Sequence, residues 1–437
     1  MSRFIKFSYP NAGVKYEDFL DTGYRPGRDD IICLFRIIPA AGFTFEETAA
    51  RIASESSNGT WAELDVPQHV RKLSAVAFEL KPPYAKIAYP LGLFELGSIP
   101  QALSSIAGNI FGMKAARSVR LEDISWPKAY LRSFRGPQFG IPGVRKLLGI
   151  PRRPILASVP KPKVGLTTRE FSAMAAAAWR GGVDLLKDDE NLTDQAFNRF
   201  ERRLDACMKL RRTIERETGE RKSYLLNITA ETQEMLRRAR LAAKLGNEYV
   251  MVDILTAGWA AVQTVREECE KLGLAIHAHR AFHAAIDRNP AQGMSMKILA
   301  EIARIQGCDQ VHIGGLGKLA GDRREVRGIW EKVALQSVGE SKEVLAQDWA
   351  GMKPLLGTCS GGLHPGIISR LVRLLSADIV IQAGGGIHGH PRGTEAGARA
   401  MRAALDAIAD GHRVEDAARV HPELAEALAF WGHGTPK

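Results

Sequence analysis

The sequence predicts an α/β chain in two parts: an N-terminal α+β domain of ferredoxin-like type over residues 1–135, then a (β/α)8 barrel over 136–437. Three observations carry this. From residue 153 onward eight short apolar runs alternate with longer amphipathic segments, the pattern of repeated strand–helix units. Before residue 125 strand-like and helix-like pieces are mixed. Between them, 126–152 is rich in Pro, Gly and Arg and reads as a linker or an elaborated entry to the barrel.

In the first part, 31–38 is a β-rich stretch bounded by Asp30 and Pro39. A helix is expected over 44–54, opened by Thr44 with Glu46 and Glu47 in its first turn. A short strand follows at 85–89, and Pro100 opens a helical run over 101–106. In the second part the strands are expected at 155–159, 183–186, 223–228, 249–254, 275–278, 310–313, 354–358 and 378–382. Helical stretches follow most of them. Thr167 with Glu170 forms a capping box for the first, over 168–180. Eight such units amount to a TIM barrel.

Composition narrows the class. Apolar residues make up 45% and charged residues 25% of 437, which fits a globular chain with a sizeable core. No apolar run reaches the length of a membrane helix and residues 1–10 lack a secretory signal, so a cytoplasmic protein with no membrane partner is expected. Five scattered cysteines without a CxxC pair read as reduced thiols. The net charge of +11 fits an anionic ligand. The basic clusters 237–240 and 323–327 read as solvated helix faces, and no nucleic-acid motif is present.

Barrel chemistry gathers at the carboxyl ends of the strands. Those ends read Lys161-Pro-Lys163, Lys187-Asp-Asp-Glu190, Asn227, Asp253, His279-Arg280, His312, Ser360-Gly361-Gly362 and Gly384-Gly385-Gly386. Strand alternation places Lys187 and Asp189 on one face, with Glu190 joining where the chain turns. Two carboxylates supply hard oxygen ligands for magnesium, and the lysine makes sense beside them if neutralised or carbamylated. A plain Lys–Asp–Glu salt bridge is the alternative. Lys161 and Lys163 suit an anionic substrate or proton transfer to a carbanion. His279 suits metal ligation or proton shuttling, and Arg280 a phosphate. His277 shares the His279 face and is assigned no role. The two glycine runs expose backbone N–H groups for a phosphate. Lys318, near the tip of the Gly-rich loop after His312, could close over a ligand.

The strings Lys161-Pro-Lys-Val-Gly-Leu166, Gly181-Gly-Val-Asp-Leu-Leu-Lys-Asp-Asp-Glu-Asn191, His279-Arg-Ala-Phe-His283 and Gln382-Ala-Gly-Gly-Gly386 resemble the large subunit of ribulose bisphosphate carboxylase and its RuBisCO-like relatives. Glu55-Ser-Ser-Asn-Gly-Thr-Trp61 and Asn109-Ile-Phe-Gly-Met-Lys114 extend the resemblance to the first domain. It implies a carbon dioxide-derived carbamate on Lys187, which with Asp189 and Glu190 binds Mg2+ to stabilise an enediolate. It assigns Lys161, Lys163 and His279 to proton transfer. Arg280, His312 and Ser360 hold one anionic end of the substrate. Gly362, Gly385 and Thr60 hold a phosphate at the other, with Gly361 and Gly384 nearby. Lys318 contacts a carboxylate. Glu55, Thr60, Trp61 and Asn109 reach the site from a second subunit, so a homodimer with shared active sites is implied.

Departures from true carboxylases, and a chain shorter than the plant-type large subunit, shape the functional expectation. The loop after His312 reads one residue short, Gly315 stands for threonine, Ile313 for serine, and Val159-Pro160 precedes Lys161 without the usual threonine. The expected member is therefore a form IV RuBisCO-like protein of the non-photosynthetic bacterial branch. Its expected activity is that of a decarboxylase or transcarboxylase/hydrolase acting on a phosphorylated keto-sugar acid of the 3-oxo-isoapionate 4-phosphate type, in apiose breakdown. The alternatives are a methionine-salvage enolase or isomerase, a ribulose-1,5-bisphosphate carboxylase, and a non-catalytic binding protein.

Overall fold

A computed structural model describes residues 16–60, 67–316 and 322–435. The chain divides into two compact units. The first comprises 1–134, 283–302 and 336–351; the second comprises 135–282, 303–335 and 352–437.

The first unit is built on a sheet of β1 (Ile31–Pro39), β2 (Val76–Lys81), β3 (Tyr84–Tyr89) and β4 (Ala116–Ser125), with the short strand Gly293–Met294 added at its edge. The order is Gly293–Met294, β4, β1, β3, β2. β1 pairs antiparallel with β3 and β4, and Gly293–Met294 joins β4 in parallel. β2 and β4 were not foreseen. Lys and Glu break the apolar alternation of 76–81, and charged Arg and Glu side chains interrupt 116–125. The helix Phe45–Glu55 is capped by Thr44, whose side chain accepts from the Glu47 N–H, and buries Ala49, Ile52 and Ala53. Ser98 rather than Pro100 caps the helix Ile99–Ile106, the proline falling in the first turn as expected.

The second unit is a closed barrel of eight parallel strands in sequential order: Ile155–Ser158, Leu185–Lys187, Ser223–Asn227, Tyr249–Asp253, Ala275–His279, Gln310–Gly314, Leu356–Cys359 and Ile379–Ala383. All eight coincide with predicted runs, displaced by one or two residues at their ends. The strands are buried on both faces, so apolar residues fall on both rather than alternating, with His277, Gln310 and His312 among the buried polar exceptions. The capping box of Thr167 and Glu170 opens the helix Thr168–Arg180.

The Pro/Gly-rich segment is more than a linker. Its helix Gly140–Leu148 carries Ile141, Val144 and Leu148, which with Ile150 pack against Ile155, Leu185, Leu225, Tyr249, Leu356 and Val380. These residues start the barrel strands or lie near their starts, so the helix closes the end of the barrel opposite the strand carboxyl ends. Burying an aliphatic side chain of this size contributes about 1.5–3 kcal/mol. The basic cluster 237–240 is not a uniformly solvated face. Arg237 is exposed and pairs with Glu201 and Glu234, but Arg238 is buried against Glu234 and the Thr229 carbonyl. Among the described residues no helix is long and apolar enough to cross a membrane.

Candidate functional site

The carboxyl ends of the barrel strands bring together charges that elsewhere would be solvated. The second strand stops at Lys187, so alternation along a strand does not place Asp189 and Glu190. The chain turns immediately, and the turn is held from below. Asp188 points away from the site into a fully buried pocket. There its carboxylate accepts from Arg203, from the Tyr224 hydroxyl and from the Asn227 backbone N–H at 3.0 Å. Arg203 also donates to the carbonyls of Thr193 and Asn198, both at 2.8 Å, which fixes the loop that follows. Asn227 Nδ2 donates to the Glu190 carbonyl at 3.2 Å.

With the turn fixed, Lys187 is fully buried, its Nζ donating to the Asp188 carbonyl at 2.8 Å and lying 3.7 Å from Glu190 Oε2. Lys161 Nζ lies 3.2 Å from Asp189 Oδ2, and Lys163 Nζ 3.7 Å from Glu190 Oε1. Burial pushes the Lys187 amine below its ordinary value, against the pull of Glu190 and Asp189. Burial works against the Glu190 charge, yet His279 and Lys187 hold its carboxyl down at about 2. The salt-bridge alternative is thus met in part: the charges do pair, but around an amine that water cannot reach.

Three histidines line the next stretch of wall. The His279 and His312 ring centroids are 4.7 Å apart, and His277 and His312 4.9 Å. His279 Nδ1 lies 3.1 Å from both the Ala281 backbone N–H and Asp253 Oδ1, and its Nε2 lies 3.5 Å from Glu190 Oε2. His312 Nδ1 meets Ser360 Oγ at 3.1 Å, while its Nε2 and both nitrogens of His277 have no hydrogen-bond partner among the described residues. Burial pushes all three rings down, with the Lys187 charge adding to it. The Arg280 guanidinium lies beside Gly314, at the end of the sixth strand.

The glycine runs close the ring. Ser360 donates its backbone N–H to the Gly314 carbonyl at 3.2 Å, and Gly361 and Gly362 both take left-handed conformations. Gly384 lies against Lys161: a side chain there would meet the lysine Cε. A short helical turn, Gly385–His388, follows.

Glu55 and Asn109 belong to the first unit, where Asn109 Nδ2 donates to Glu55 Oε1 at 3.1 Å; Thr60 lies five residues beyond Glu55. Trp61 and Lys318 lie outside the described residues. The sequence reading missed His277, Asp253 and the Asp188–Arg203–Tyr224 group as supports. Arg203 gave one signal, an arginine on the apolar face of Phe200, Leu204 and Cys207.

The donor set fits a hard divalent cation. Asp189 and Glu190 offer two carboxylates, and among the described residues no group of three or more His, Cys, Asp or Glu is placed to hold an ion. A carbamate on Lys187, whose amine burial pushes below its ordinary value, would add a third oxygen ligand beside those two carboxylates.

Comparisons with known proteins show the family. Residues 18–130 match the model of the ribulose bisphosphate carboxylase large chain, N-terminal domain, and 140–431 that of its catalytic domain. The chain is 49% identical to a protein of Pyrococcus abyssi named ribulose bisphosphate carboxylase, over 97% of this chain and 98% of that one. It superposes on a structure described as dimeric archaeal Rubisco from Hyperthermus butylicus with a TM-score of 0.91 and 48% identity, covering 96% of this chain and all of that one. Octameric ribulose-1,5-bisphosphate carboxylase/oxygenase from Pyrococcus horikoshii, crystallised with sulfate, gives 0.90 and 46%, covering 98% and 99%.

These findings overturn the expected activity. The relatives are archaeal carboxylases, not members of a non-photosynthetic bacterial form IV branch, and the decarboxylase or transcarboxylase/hydrolase reading with a keto-sugar acid substrate falls with it. The metal-and-lysine set serves any enolisation beside a ketone and so could not choose the substrate. The apparent shortness came from a plant-type yardstick. The curated relatives are matched over nearly their whole length.

Proposed function

The chain belongs to the ribulose bisphosphate carboxylase large-chain family, and from that premise we propose that it carboxylates ribulose 1,5-bisphosphate, in an assembly of at least two copies. The observation that carries the reading is the buried Lys187 amine beside Asp189 and Glu190, in a chain nearly half identical to named carboxylases over almost its full length.

Lys187, as a carbamate formed with carbon dioxide, would hold Mg2+ together with Asp189 and Glu190. When bound, the ion supplies a Lewis acid that acidifies the carbon beside a ketone. Lys161, 3.2 Å from Asp189, is placed to hold or return a proton at the substrate's reacting carbons, and Lys163 adds positive charge on the same side. His279 lies between two carboxylates, its Nε2 3.5 Å from Glu190 and its Nδ1 3.1 Å from Asp253, which suits it to pass a proton. Arg280, His312 and Ser360 suit one phosphate; Gly361, Gly362, Gly384 and Gly385 suit the other. Glu55, Thr60, Trp61, Asn109 and Lys318 complete the site in this reading, the first four from a second copy.

The test is a substrate panel with Mg2+ and labelled carbon dioxide. Acid-stable label fixed onto ribulose 1,5-bisphosphate supports the proposal. Release of carbon dioxide from a phosphorylated 3-keto acid, with no fixation onto the bisphosphate, contradicts it.

A further inference from the structure

The two glycine loops are joined by a piece of chain that the reaction does not call on. The helix Pro422–Trp431 ends at Trp431, whose ring stacks on His364 with centroids 6.1 Å apart and planes at 27°. The same ring lies 6.1 Å from that of His390. His364 follows the glycines after the seventh strand, and His390 those after the eighth. One side chain therefore touches both loops.

The backbone beyond Trp431 completes the contact. His364 Nε2 donates to the Gly434 carbonyl at 2.9 Å, and His433 Nδ1 lies 3.4 Å from the Gly366 carbonyl. The Gly432 carbonyl sits so close to Gly366 that any side chain there would meet it at 1.9 Å. The loops also press on each other directly, because a side chain at Gly386 would meet the Leu363 carbonyl at 2.0 Å. His390 anchors the arrangement to the C-terminal helix by an Nε2 hydrogen bond to the Glu423 carbonyl at 3.0 Å. These are dense contacts between elements far apart in sequence.

We infer that the segment Trp431–Gly434 clamps the two glycine loops into one rigid cradle, with Trp431 the positioning residue for the phosphate end of the substrate. The inference rests on the reading that those loops hold a phosphate. Fixed loops aim their N–H groups at the anion before it arrives, so no ordering cost is incurred on binding.

The experiment compares wild type, Trp431→Phe, Trp431→Ala and His364→Gln, the last keeping a donor toward Gly434 but removing the stack. Inorganic phosphate binding is measured by calorimetry, alongside KM for ribulose 1,5-bisphosphate, kcat, half-saturating Mg2+ and Tm. Trp431→Ala and His364→Gln are expected to weaken phosphate binding and raise KM about tenfold, with kcat and Mg2+ dependence held within about twofold. Trp431→Phe should recover most of the loss. Should Trp431→Ala fail to fold, His364→Gln carries the comparison. Unchanged phosphate affinity in the variants overturns the clamp, as does a parallel fall in kcat, Mg2+ binding and Tm. A wild type that binds no phosphate overturns it together with the cradle. A wild type that binds phosphate tightly yet fixes no carbon dioxide would sink the carboxylase reading and leave the clamp standing.

Discussion

The Arg203 guanidinium and the Asp188 carboxylate meet at 3.2 Å with neither side chain exposed to solvent. Asp188 stands between Lys187 and Asp189, so this pair lies directly beneath the proposed metal site without facing it. Burial opposes the Arg203 charge, but Asp188 and Tyr224 hold it firmly protonated.

Replacing Arg203 by alanine leaves Asp188 charged and buried, which costs about 3–5 kcal/mol. The loop tied by the Thr193 and Asn198 carbonyls loosens with it. Urea unfolding should show that loss, and calorimetry should show weaker Mg2+ uptake even where the protein remains folded. Unaltered stability would mean that Asp188 finds another partner or a proton.

Acid should destabilise the fold before its carboxylates titrate. Burial holds His277 and His312 well below the ordinary histidine value, and burial with the Lys161 charge holds His388 at about 4. The folded pKa lies below the unfolded one, so the unfolded chain binds more protons as pH falls from about 6.5 toward 4. Their stabilisation is complete above that window and is lost through it. Each such proton gives a slope of about 1.4 kcal/mol per pH unit. Urea unfolding at several pH values should show more than one proton's slope, and His388→Gln should reduce it by about one.

Lys161→Met removes the cation 3.2 Å from Asp189 and keeps the stem's volume. If Lys161 handles a proton, kcat falls by about 10²–10⁴, the range for losing a general acid or base. Mg2+ affinity should hold or improve, since a competing cation has gone. Loss of metal binding with intact kcat would assign Lys161 a supporting role instead.

The barrel was legible because its strands are mostly apolar and their ends polar, a contrast that survives in a single sequence. Lys161, Lys187, Asp189, Glu190, His279 and His312 were found by that rule, and the structure brings them together. What stayed hidden depends on contacts between distant segments. Asp188 reads as one more charge in a charged string, and only the fold shows it turned inward to Arg203. The helix Gly140–Leu148 read only as a linker or an elaborated entry to the barrel, because Pro and Gly crowd its start. Trp431 carries no motif at all; its meaning comes from His364 and His390. The substrate was misjudged because departures near Gly315 were taken to disfavour carboxylation, although the chain is 49% identical over nearly its whole length to a protein named ribulose bisphosphate carboxylase.

The most direct test of the account counts labelled carbon fixed per molecule of ribulose 1,5-bisphosphate consumed, for wild type and for Lys187→Ala, with Mg2+ present. The account predicts one fixed carbon per bisphosphate for wild type and no consumption by the variant. Bisphosphate untouched by wild type, bisphosphate consumed without fixation, or full fixation by Lys187→Ala would each contradict it.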